Sequence, residues 1–142
     1  MSAPTSAERP PIHPERLRTT RGGFAYVPNR FLHGGFFAVL TDQERALYLF
    51  LVIAGDRRGI SFYSQERICS VMATTLHDYL NARNRLIEAD LVAFDGSRFQ
   101  VLSLPNTPVA PSPRPLENRA DFEERDPATI RQFLERELGA KR

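Results

Sequence analysis

The stretch from Ser64 to Pro105 constrains this chain most. It reads as a short helix from Ser64 to Met72, a break at Ala73-Thr74-Thr75, and a longer helix from Leu76 to Asp90. Two short apolar strands follow, Leu91–Phe94 and Ser97–Leu102, separated by Asp95-Gly96. An Asp-Gly pair between apolar strands predicts a two-residue type I′ hairpin. Helix, tight turn, helix and hairpin in that order leave few folds open.

The second helix is amphipathic. At about 100° per residue, Leu76, Tyr79, Leu80, Ala82, Leu86 and Ile87 share one side. His77, Asn81, Asn84, Arg85 and Glu88 share the other, with Asp78 at its margin. The apolar arc predicts a core face and the polar arc a solvent face. Asn and Arg on an outward arc can pair with adenine and guanine edges. Thr74 and Thr75 fall at the helix start, where hydroxyls and free N–H groups hold phosphate. Such an arc is also what an ordinary solvated helix carries, and Asp78, Glu88 and Asp90 add negative charge to it. Arg83 falls inside the apolar arc, so it is expected to pair with a carboxylate or snorkel outward in a structural role.

Upstream, Thr41-Asp-Gln-Glu44 predicts a capping box opening a helix over Arg45–Ala54. This helix is apolar all round, which predicts burial on most sides or a share in a dimer. Gly59–Tyr63 predicts a short strand pairing with the hairpin, and Ser64 a cap for the next helix. Ile68, Val71, Met72 and Cys69 are expected to face the core. Ordered structure is expected to begin near Gly22–Pro28, with a helical turn over Asn29–His33. The expected class is therefore α+β, with the element order of a winged helix-turn-helix over residues 23–105: a three-helix core and a small antiparallel sheet. The hairpin tip offers Arg98 to phosphate or a minor groove.

The flanks differ in composition. Residues 1–22 hold four prolines and carry Arg9, Arg16, Arg18 and Arg21 against Glu8 and Glu15, which predicts a disordered basic arm, solvated or laid along a DNA groove. Residues 106–125 predict a Pro-rich, charged linker. Asp126-Pro127 then opens an amphipathic helix over 126–139, with Ile130, Phe133, Leu134 and Leu138 on one stripe. That stripe is expected to dock on its own domain, a second copy or another protein.

The remaining composition excludes more than it assigns. Net charge is only +2, and Lys141 is the single lysine. The lone Cys69 makes no internal disulfide, which implies a reducing compartment. The start lacks a signal-like apolar core, and the longest apolar run, Ala46–Ala54, is short of the roughly 20 residues of a membrane span. His13, His33 and His77 are dispersed, with no H-E-x-x-H, P-loop or Cys pair, so neither catalysis, metal nor cofactor is expected.

Residues 24–105 resemble the N-terminal winged-helix domain of plasmid replication initiators. The resemblance lies in Phe24-Ala-Tyr-Val-Pro28, Leu40-Thr41, Arg45-Ala-Leu-Tyr48, Tyr63-Ser-Gln-Glu-Arg67, Leu86-Ile87 and Leu91-Val92. Those initiators often carry Gly where Asp90 closes the long helix here, and a longer, more basic wing. The resemblance implies duplex DNA as partner, with His77, Asn81, Asn84 and Arg85 as readers; Ser64, Thr74, Thr75 and Arg98 are the further candidate DNA contacts. The implied role is a transcriptional regulator or initiator-like accessory factor of a replicon or mobile element, cytoplasmic and nucleoid-associated. A homodimer through Ala46–Ala54 or the Ile130–Leu138 stripe would supply two half-sites. The alternative is a protein-interaction adaptor that docks partners on this domain and the C-terminal helix.

Overall fold

The computed structural model describes residues 9–111. The first eight residues of the arm, most of the 106–125 linker and the 126–139 segment lie outside the described residues. Within them the chain is α+β, with four α-helices and one three-stranded antiparallel sheet. The helices are α1 (Arg30–His33), α2 (Asp42–Ala54), α3 (Gln65–Met72) and α4 (Leu76–Glu88). The strands are β1 (Ile60–Ser61), β2 (Val92–Phe94) and β3 (Phe99–Val101), in sheet order β1-β3-β2.

Local chemistry sets the helix starts. The Thr41 hydroxyl accepts from the Glu44 N–H while the Glu44 carboxylate takes the Thr41 N–H, so the predicted capping box is present. Ser64 caps α3 by accepting from the Arg67 N–H, and Thr75 caps α4 by accepting from the Asp78 N–H.

Both later helices end in left-handed residues that are not glycine. Ala73 sits at φ 52°, with its N–H on the Ser70 carbonyl and the Thr74 N–H on the Cys69 carbonyl. Asp90 sits at φ 62°, with its N–H on Ile87 and the Leu91 N–H on Leu86. Each is a Schellman stop.

The core gathers Phe31, Phe36, Leu40, Leu47, Tyr48, Leu51, Ile68, Tyr79, Leu86, Leu91, Val92 and Phe99. Phe31 stacks on Tyr48 at 4.7 Å, which ties α1 to α2. Phe94 stacks on Phe99 at 4.3 Å across the sheet, fixing the register Phe94↔Phe99. Gly59 pairs its carbonyl with the Val101 N–H at φ +81°, where a Cβ would lie 2.8 Å from the Val101 carbonyl. No side chain fits there.

Several expectations need correction. Val71 and Leu76, expected in the core, are 60% and 50% exposed. α2 buries Leu47, Tyr48 and Leu51 but leaves Leu49 and Ile53 in solvent, so it is buried on one side only. The hairpin turn also shifts by one residue. Phe94 pairs with Phe99 and the Asp95 N–H reaches the Arg98 carbonyl, so Gly96-Ser97 form the tip instead of Asp95-Gly96. The cause is the Asp95 carboxylate, which accepts from the Ser97 and Arg98 N–H groups and so holds Asp95 at the base of the turn. Arg30 donates to the carbonyls of Leu104 and Pro105, holding the chain after β3 against α1.

Candidate functional site

α4 is divided along its length rather than only around its circumference. From Ala82 to Leu86 every residue is buried, so this stretch has no solvent face, and Ile87 and Glu88 beyond it are half-buried. It crosses α2, runs directly into β2, and is overlaid by the chain near Val109. The first turns project outward: Leu76, His77 and Asp78 are exposed, and Leu80 and Asn81 half-buried.

This division separates the predicted contact residues. Asn84 and Arg85, expected on the solvent arc, are 7% and 8% exposed. Arg85 donates through Nη2 to the Val109 carbonyl at 2.7 Å, and its Nε lies 3.9 Å from the Glu44 carboxylate at the start of α2. The placement of both residues at a solvent surface is therefore corrected. Their arc faces a neighbouring helix and the chain's own tail, which no helical wheel of α4 alone contains.

Arg83 is 5% exposed and does not snorkel. Its guanidinium lies over the rings of Phe94 (5.0 Å) and Tyr79 (5.9 Å), and its Nε and Nη2 donate to Asn84 Oδ1. Asn84 thus serves the interior. The sequence signal for this was Arg83 itself: a guanidinium inside an apolar arc needs an acceptor close by, and the next residue supplies one.

The other candidates stay at the surface. Thr75 is exposed at the start of α4. Thr74 is half-buried, its hydroxyl accepting from Gln43 Nε2, which fastens the α3–α4 turn to the first turn of α2. His77 Nε2 and Asn81 Nδ2 lie 3.1 Å apart, one helical turn apart on one line. Ser64 is exposed at the start of α3. Arg98 is exposed but held by Asp95, with Nε 2.9 Å from Oδ2. The Asp95 carboxyl is held far below the usual carboxylate range, first by the Arg98 and Ser97 N–H groups and then by the Arg98 guanidinium.

Burial, and then Glu66, push the Cys69 thiol upward, the opposite of an activated nucleophile. Among the described residues no group of three His, Cys, Asp or Glu could hold a metal. A concavity of about 180 Å3 lined by Ile60, Phe94, Asp95, Arg98 and Phe99 is smaller than the roughly 300–1,000 Å3 of small-molecule sites. No described helix is long and apolar enough to cross a membrane. The chain matches no family model, no curated protein and no solved structure.

Proposed function

We propose that this chain is a non-catalytic winged-helix protein that binds double-stranded DNA through the projecting first turns of α4. The observation that carries the reading is the axial division of that helix. Its buried half anchors it, while its N-terminal end presents Thr75, His77 and Asn81 just past the turn that follows α3. A recognition helix meets base edges with its N-terminal residues, so burial of Asn84 and Arg85 is compatible with this use. The contact between His77 and Asn81 holds the amide in place, which favours paired bonding to an adenine edge.

Phosphate attraction comes from elsewhere. Residues 24–105 hold eight arginines and eight carboxylates. Arg45, Arg58 and Arg98 are paired with Asp42, Asp56 and Asp95, whereas Arg57 and Arg67 are exposed. The arm carries the surplus, with Arg9, Arg16, Arg18 and Arg21 all exposed. The role that fits is a regulator, or an initiator-like accessory factor of a replicon or mobile element, working at the nucleoid. The adaptor alternative is favoured by one observation, the exposed apolar side of α2.

Mobility shifts of the full chain on its native genomic fragments at about 50 mM salt test the reading. Binding is expected, with a loss of tenfold or more in His77→Ala/Asn81→Ala. Replacing Arg16, Arg18 and Arg21 by Ala should weaken all fragments alike and reduce the log–log salt slope by about 3 × 0.9. Absence of binding, or binding indifferent to the His77/Asn81 pair, contradicts it.

A further inference from the structure

α2 leaves one side uncovered. Asp42, Ala46, Leu49 and Ile53 fall on one line along the helix, and all four are exposed, with Leu49 at 54% and Ile53 at 65%. The surface continues sideways. The half-buried Phe50 meets Tyr63 edge-on at 5.1 Å, and Phe62, the chain neighbour of Tyr63, is 70% exposed. Nothing in the proposed DNA contact uses this face. Contiguous apolar surface of this kind marks a contact with another chain.

The order of residues on that line says which chain. Ala46 and Ile53 lie equally far from a point between Leu49 and Phe50. Asp42 opens the helix, and the exposed Arg57 follows its Gly55 stop by two residues. A twofold axis through that point would lay two copies of α2 antiparallel. It would set the small Ala46 against the large Ile53 of the second copy, so the backbones approach closely. It would bring the Asp42 end of each copy, where the exposed carboxylate also holds its own Arg45 at 3.0 Å, to the Arg57 end of the second, and bring Leu49 to the axis. The two helix dipoles would oppose each other, adding a small favourable term. An unrelated partner would need none of this symmetry. A twofold homodimer requires it, because the same patch must complement itself.

We propose that the outward side of α2 is a self-complementary homodimer contact, two copies packing antiparallel about Leu49. The surface is narrow, one helix with flanking aromatics, so association in the micromolar range is expected. The inference does not rest on the DNA reading, since α4 and α2 present different surfaces.

Sedimentation equilibrium of the full chain from about 1 to 100 µM tests it. A dimer mass is expected in the upper part of that range. Leu49→Arg, and separately Ile53→Asp, should raise the dissociation constant at least tenfold while the circular dichroism spectrum stays unchanged. Two exposed positions are used so that a folding failure of one variant does not decide the matter. Charge reversal then tests the register. Asp42→Arg and Arg57→Asp should each weaken the dimer about three- to tenfold, and the double variant should recover most of the loss. A monomer at every concentration overturns the proposal. So does a dimer indifferent to both apolar variants, which would place the contact elsewhere, the Ile130–Leu138 stripe included. A double reversal no better than its singles overturns the antiparallel register.

Discussion

Ala73 is the residue on which the turn between α3 and α4 depends, and it holds a conformation that L-residues other than Asn and Asp rarely adopt. Its φ of 52° and ψ of 46° lie in the left-handed region, and its methyl group offers no hydrogen bond in return. An L-residue there costs about 1–2 kcal/mol. Glycine removes that cost but loses roughly 0.5–1 kcal/mol more backbone entropy on folding. Ala73→Gly should therefore stabilise the fold by about 0.5–1 kcal/mol. At about 4–8 °C per kcal/mol for a domain of this size, the melting temperature should rise by roughly 2–8 °C. Thermal and urea unfolding followed by circular dichroism at 222 nm measure both quantities. The control is the same substitution at Ala46, exposed within α2, which should cost about 1 kcal/mol. A lower melting temperature in Ala73→Gly would refute the left-handed stop, and with it the angle at which α4 leaves the turn.

Further perturbations test other parts of the account. Gly59→Ala should destabilise by about 2 kcal/mol or more in chemical unfolding, because φ is +81° and the new Cβ would meet the Val101 carbonyl at 2.8 Å. Arg85→Ala should cost about 2–4 kcal/mol, losing buried packing, the Val109 bond and the Glu44 charge, whereas Asn81→Ala should stay within about 0.5 kcal/mol. Equal effects would contradict the division of α4. Asp95→Asn should be less stable than the parent near neutral pH. The folded Asp95 carboxyl titrates below its unfolded range, so its contribution is complete above the unfolded value and is lost as pH falls toward the folded one. The stability gap should therefore shrink on acidification below about pH 4, and a gap that widens there contradicts the Asp95 turn.

What could be read from residues alone was the part written in local chemistry. Thr41 with Glu44, Ser64 and Thr75 announce helix starts because a cap involves only residues within one turn. The order of helices and strands followed. What escaped was set by contacts distant in sequence. Arg30 reaches carbonyls more than 70 positions away, and Arg85 meets α2 and Val109. A helical wheel assigns faces around an axis; it has no term for burial that changes along it. Hence Asn84 and Arg85 read as solvent residues and Leu76 as core, each reversed by what lies at that level of the helix. The hairpin tip moved for a different reason: Asp-Gly carries two signals, a turn pair and a carboxylate able to collect N–H groups, and the second prevailed.

The projecting end of α4 is the point on which the functional reading turns. A 15N–1H titration of the full chain with a duplex carrying its native site examines it directly. Shifts are expected only at Thr75, His77, Asp78, Asn81, the start of α3 and the arginine arm. Shifts centred on Leu49 and Ile53, or none at saturating duplex, would contradict it.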